Sequence, residues 1–262
     1  MMARIQAFEF CENPSTPRFI RESLIETLGS TLRSAGIYDP AAPLFAEFCR
    51  RTKCDSILDL GSGSGEPVSV LVDSLQRQGV PSPRFYLSDL LPNIPAMTRV
   101  AERHPEHIRV IEEAVDATDV ARKFKQPART IISAFHHFPP ELARGILADC
   151  ARQRRAVFIL EGFPRDLRAL TPIFAGAALP VLANPFTSDK DRLLKAWFTY
   201  VQPVIPVLGI WDAIVSVLRV YTEDELMAMV KPFRKKFSWE YHRIPTLLGG
   251  TLTVFMGIPE RV

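Results

Sequence analysis

The apolar positions of this chain change period several times, and the changes divide it into parts. In the N-terminal part they recur at helical spacing. Phe19, Ile20, Leu24 and Leu28 follow Thr16-Pro17, a capping residue with proline at the first helical position. This helix is expected to stop near Gly29 or Gly36. Asp39-Pro40 repeats the start signal for a second helix carrying Leu44, Phe45 and Phe48. From Ser56 the period shortens. Ser56-Ile57-Leu58-Asp59-Leu60 is a short apolar run ending in a glycine-rich turn, and Pro67 opens a helix over 68–78 closed by Gly79. Further strands are predicted at Arg84 to Asp89, Ile108 to Ile111, Thr130 to Phe135 and Ala156 to Glu161. Helices are predicted from Met97 to Arg103 and from Pro140 to Ala151.

Strands alternating with helices at this spacing predict a Rossmann-like α/β fold: a mostly parallel sheet with helices on both faces. Right-handed crossovers bring all strand C-termini to one edge, where ligands of such sheets bind. Asp59, Asp89, Asp116 and Phe135 are expected at that edge. The rhythm breaks over 165–220, which is apolar, aromatic and punctuated by Pro172, Pro180, Pro185, Pro203 and Pro206; it reads as irregular helices. Thr222-Glu223-Asp224-Glu225 is a capping box opening a helix to Val230. Two strand-like runs, Phe237 to Ile244 and Thr251 to Ile258, close the chain as an antiparallel pair, for seven strands in all. The expected organisation is a helical cap over 1–53, a core over 54–164 and 221–262, and a helical insert over 165–220.

Composition narrows the function classes. With 262 residues, 47% of them hydrophobic, the chain can build a large core, and its net charge of +3 gives no footprint for nucleic acid. Four cysteines, Cys11, Cys49, Cys54 and Cys150, have no metal or disulfide spacing, so free thiols in a reducing compartment are expected. No basic stretch followed by an apolar run opens the sequence, and no uninterrupted apolar run is of membrane-spanning length. A cytoplasmic location without stable membrane insertion is the default expectation.

The chemistry begins at the turn Gly61-Ser62-Gly63-Ser64-Gly65. Without Cβ atoms its backbone can approach a ligand closely. A dinucleotide fingerprint needs a third glycine where Glu66 stands, and a carboxylate there would repel a pyrophosphate. Asp59, before the turn, can orient it or attract a cationic ligand. Asp89, ending the second strand, suits a ribose diol, and Asp116 after the third suits an exocyclic amine. Asp59 could simply cap the turn and Asp116 could be a loop acid, but the turn together with an acid after each of the next two strands is a stronger signal than the turn alone.

Ile57 to Gly65 resembles the first motif of class I S-adenosylmethionine-dependent methyltransferases. Asp89, with Leu90 beside it, matches their ribose-binding acid, Asp116-Ala117 their adenine-side pair, and Ser133-Ala134-Phe135-His136-His137-Phe138 their fourth motif. The resemblance covers 54–161 and the closing strand pair. It implies S-adenosylmethionine as cofactor, held by Tyr38, Asp59, Gly61, Ser62, Gly63, Gly65, Asp89, Leu90, Asp116, Ala117, Ser133, Ala134 and Phe135. The fourth motif lacks the Asn-Pro-Pro-Tyr type of string used on nucleic-acid and protein nitrogens. No carboxylate trio for Mg²⁺ stands at the strand ends, so no metal is expected.

His136 and His137 follow the fourth strand and are candidate general bases; equally, one of them could cap the helix at Pro140. Glu161 ends the fifth strand and could act as a base, bind an amine, or cap a turn. Phe174, Phe186, Trp197, Phe198, Tyr200 and Trp211 of the insert could line an apolar pocket, form an ordinary core or make a homodimer face. Arg165, Arg168, Arg192 and Arg219 flank it and are expected to be solvated, unless one pairs with a substrate carboxylate. The leading expectation is methyl transfer to a small apolar acceptor at oxygen, with the insert as substrate lid. The alternatives are a peptide, lipid or other macromolecular acceptor, or a non-catalytic cofactor-binding protein.

Overall fold

The computed structural model describes residues 3–34, 36–186, 191–247 and 249–260. The described residues group into two compact units: one of 1–37, 163–220 and 246–251, the other of 38–162, 221–245 and 252–262. Residues 38–53 thus group with the sheet.

The second unit is built on one seven-stranded sheet in the order β3-β2-β1-β4-β5-β7-β6. Its strands are β1 Ser56–Leu60, β2 Arg84–Ser88, β3 Ile108–Val110, β4 Ala128–Ile132, β5 Ala156–Glu161, β6 Phe237–Pro245 and β7 Thr251–Pro259. β1 to β5 pair in parallel, and β7 runs antiparallel to β5 with Glu161 opposite Thr253. The chain winds outward from β1 to β3, then returns to place β4 on the other side of β1. That reversal makes the crevice beyond β1 and β4 the ligand position of a doubly wound sheet.

The helices of this unit are α2 Ala42–Thr52, α3 Glu66–Arg77, α4 Ile94–Arg103, α5 Pro140–Arg152 and α9 Glu223–Met229, numbered in a chain whose α1, Arg18–Ser34, and α6 to α8 belong to the other unit. α3 and α4 start on Pro67 and Pro95, whose missing N–H costs nothing in a first turn. α9 starts on the capping box, with Thr222 and Glu225 bonding each other's backbone N–H. β4 and β5 are buried along their whole length, as central parallel strands are. Leu58, Leu60, Ile131, Val157 and Ile159 share one core with Ile146, Leu147, Leu226 and Phe255. Each such side chain contributes about 1.5–3 kcal/mol by leaving water.

The fourth strand departs from expectation. It starts at Ala128 and ends at Ile132, not over Thr130 to Phe135. Arg129 lies inside it, 2% exposed, with its guanidinium 2.6 Å from the Asp149 carboxylate of α5. A charged residue in a buried strand hides the strand's start from an apolar-run reading. Its end is hidden because Ser133 adopts a left-handed φ of 50° and Phe135–His137 forms a 3₁₀ turn.

The first unit packs α1, α6 Leu170–Ala183, α7 Arg192–Ala196 and α8 Val204–Arg219, with a π turn at Trp197–Val201. Ile20, Leu24 and Ile205 form its small core, and Phe19 packs at a tilt against Phe198, with ring centres 5.3 Å apart. α8 fastens the N-terminal segment. Asp212 accepts from the Phe10 and Cys11 backbone N–H groups at 2.7 and 3.0 Å. Arg219, expected in solvent, is instead 5% exposed and bonds Glu9, Glu12 and the Ala7 carbonyl. Leu167–Phe186 forms one 20-residue helical run that by length and composition is long and apolar enough to cross a bilayer. Arg168, Thr171 and Asn184 break up the apolar run in sequence and so conceal it. The four cysteines are free, as expected.

Candidate active site

The turn after β1 is held open from behind. Asp59 is 1% exposed, and its two carboxylate oxygens accept from Thr130 Oγ1 and Ser62 Oγ, each at 2.6 Å. Burial pushes its pKa up to about 7, against the pull of these two hydroxyls. Ser62 also accepts from the Ser88 backbone N–H at 3.0 Å, and Ser88 Oγ donates to the Asp59 carbonyl at 2.6 Å. Asp59 therefore ties β1, β2 and β4 together behind the turn. Thr130 and Ser88, unmarked by any motif reading, complete this arrangement.

The glycines serve different ends. Gly65 has φ 81°, and a Cβ there would fall 2.7 Å from Leu87 Cδ1, so it permits α3 to pack closely on β2 and α4. Gly61 lies against the Phe138 ring, which brings the β1 and β4 loops together. A Cβ on Gly63 would meet nothing within 4 Å, and its N–H donates to Asp89 Oδ2 at 2.9 Å. At this point the backbone faces open space. Asp89 Oδ1 accepts from the Leu91 N–H at 2.9 Å, and Leu90 is 58% exposed beside it.

Asp116 sits in an exposed turn, with Oδ1 accepting from the Thr118 N–H and hydroxyl at 2.7 Å, while Ala117 is buried. The Val115 N–H bonds the Asp89 carbonyl at 2.8 Å, so the two acidic segments are joined. Tyr38 is fully buried, and its hydroxyl lies 2.6 Å from Ser133 Oγ. Burial raises its pKa. It braces the strained Ser133 from below. Phe135 packs inward on Tyr221 at 5.5 Å and is 1% exposed, so its ring belongs to the core. Ala134 is the half-buried start of the same turn.

His136 and Glu161 come together. Glu161 Oε1 accepts from the His136 backbone N–H at 2.9 Å, and Oε2 lies 2.8 Å from His136 Nδ1. Both side chains are buried, and the imidazole of half-buried His137 lies tilted against His136 at 4.0 Å between ring centres. A carboxylate on Nδ1 selects the tautomer protonated there, which leaves the Nε2 lone pair as the basic one. Tyr221 supports the loop by donating to the Phe138 carbonyl at 2.7 Å. The structure thus gathers Asp59, the glycines, Asp89, Ser133, His136 and Glu161 at the C-terminal edge of β1, β2, β4 and β5. The left-handed φ of Ser133 is the kind of strain that concentrates at functional sites.

No protein-family model and no curated protein matches the chain. Solved structures do. The plantazolicin methyltransferase BpumL, in complex with SAH, superposes with a TM-score of 0.54 at 14% identity, over 96% of this chain and 93% of its own. Its complex with a monoazolic desmethylPZN analog and SAH gives 0.53 at 15% identity, over 94% and 91%. A putative O-methyltransferase from Nostoc punctiforme PCC 73102 gives 0.51 at 14% identity; this chain, 97% covered, spans 64% of its length. The chain has the Rossmann-like fold of class I S-adenosylmethionine-dependent methyltransferases.

Proposed function

We propose that this protein is an S-adenosylmethionine-dependent methyltransferase, acting without a metal on a small apolar acceptor at oxygen. The residues fit the cofactor. Gly63 offers open backbone, Asp89 stands beside it with lone pairs suited to ribose hydroxyls, and Asp116-Ala117 offers an acceptor and an apolar surface suited to adenine. When bound, S-adenosylmethionine supplies an electrophilic methyl on a sulfonium, which departs as a neutral thioether.

The chain's own task is then to bind, orient, exclude water and take one proton. The observation that carries the oxygen reading is the His136–Glu161 pair. A hydroxyl acceptor must lose its proton as its oxygen gains the methyl, and an imidazole fixed at Nδ1 by a carboxylate can receive that proton at Nε2. A carboxylate acceptor would have no use for such a pair. His137 packs beside the His136 ring at a tilt of 39°. The apolar composition of 165–220 supports an apolar acceptor.

The test is S-adenosylhomocysteine production against a library of phenols, alcohols and carboxylic acids. Turnover on hydroxyl acceptors that falls in His136→Ala while S-adenosylhomocysteine binding persists supports the assignment. Equal turnover in both proteins removes the base role.

A further inference from the structure

We infer that the helical unit docks on a lipid bilayer, burying the apolar faces of α6, the π turn and α8 in its outer hydrocarbon layer. This rests on that unit alone and is independent of the methyl-transfer reading.

α6 carries no charged residue, and within it only Pro180 is buried. A helix apolar all round belongs in a core or in lipid. Here α1 and α8 pack against it, yet only 22% of the most apolar 18-residue window of the Leu167–Phe186 run is buried within the protein. Leu179, Leu182 and Phe186, at spacings of three and four, are 75%, 54% and 64% exposed. Leu193, Leu194, Trp197, Tyr200 and Val201 are exposed at the same spacing on the following helical run, and Val207, Ile210 and Trp211 on α8. So many large apolar side chains exceed the patches that monomeric proteins ordinarily leave to water.

Three features select lipid as the occupant. First, the patch presents few hydrogen-bonding groups. Tyr200 donates its hydroxyl to the Leu182 carbonyl, and Trp211 Nε1 donates to the Phe8 carbonyl at 3.0 Å. These donors are used within the protein, whereas a protein–protein face carries a rim of paired polar groups. Second, the shape suits lying in the bilayer. The pair 192–201 and 204–219 bends by 75° at the break, and α1 and α8 flank α6, so the surface is that of a monotopic protein rather than a span. Third, the charges complement headgroups. Exposed Arg168 precedes α6, and the Arg192 guanidinium lies over the Phe186 ring at 4.8 Å at the other end. Cations at the ends of an uncharged apolar run meet lipid phosphates.

The full chain is sedimented with vesicles of phosphatidylcholine alone and of phosphatidylcholine with phosphatidylglycerol, beside a triple variant, Leu179→Glu, Leu182→Glu and Leu193→Glu. A Leu91→Glu variant, altered at an exposed leucine of the sheet unit, is the matched control. The wild type and the control are expected in the pellet, more strongly with the anionic lipid, and the triple variant at least tenfold less. Wild type that stays in solution with both vesicles overturns the inference. So does binding that survives the triple substitution, or a lipid-insensitive dimer that the substitution dissociates. Should the triple variant lose its helical circular dichroism, Trp239→Phe protein, which retains Trp197 and Trp211, is titrated with vesicles of brominated lipid. Quenching of the remaining fluorescence supports docking, and unchanged emission overturns it.

Discussion

His136 and Glu161 are separated by 25 positions in sequence, yet their side chains and one backbone N–H form a two-point contact. Each was legible as a candidate because it ends a strand at the ligand edge; their union was not, because it depends on the 3₁₀ turn that redirects the chain after Ser133. His136→Ala is expected to lower kcat by roughly 10²–10⁴-fold, the usual weight of a general base, with cofactor affinity unchanged. Glu161→Gln should lower kcat less and move the acidic limb of the pH–rate profile, where a general base is lost to protonation; a purely structural role would leave that limb in place. Asp59 was legible as the acid before the turn, with two roles open; the structure spends both its oxygens on the turn. Its carboxyl protonates more readily folded than unfolded. It therefore stabilises the fold fully below its ordinary pKa of 3.8, and that contribution is lost as pH rises through about 7. Thermal melts of wild type and Asp59→Asn between pH 4 and 8 should converge or cross, with wild type losing roughly 2–4 kcal/mol relative to the variant. Parallel curves would sink this reading.

The elements were read best where a proline, a glycine or a capping box marks an end. β1 and β5 fall where the apolar runs place them, and α9 starts on its box. The bounds of β4 are hidden in the sequence because two rules conflict in it: a buried strand should lack charge, and Arg129 is charged. The ion pair to Asp149 resolves the conflict. Although burial raises the Asp149 carboxyl, the Arg129 guanidinium and further donors bring it below its ordinary value. Arg129→Ala would leave that carboxylate buried without its closest cation, and is expected to cost about 3–5 kcal/mol in urea unfolding. Gly65→Ala combines a left-handed φ with a contact to Leu87, so the turn must shift. The expected outcome is weakened S-adenosylhomocysteine binding together with a lowered melting temperature; an unchanged affinity would show that the turn is not the cofactor's seat.

For the molecule as a whole, a mostly parallel sheet with helices on both faces follows from the alternation of periods, which is why the Rossmann-like fold could be anticipated from one sequence, whereas the strand order could not. The helical character of 165–220 was legible as well, but what its apolar side chains face was not. Its apolar residues are compatible with core, pocket or interface at the level of composition, and only the exposure of α6 and its neighbours distinguishes among them. The cofactor claim is the one on which the functional reading depends, and calorimetric titration with S-adenosylhomocysteine tests it most directly. Saturable binding of one ligand per chain, lost in Asp89→Ala and not seen with NAD, is the predicted result. No binding of S-adenosylhomocysteine, or binding of NAD in its place, would contradict the account.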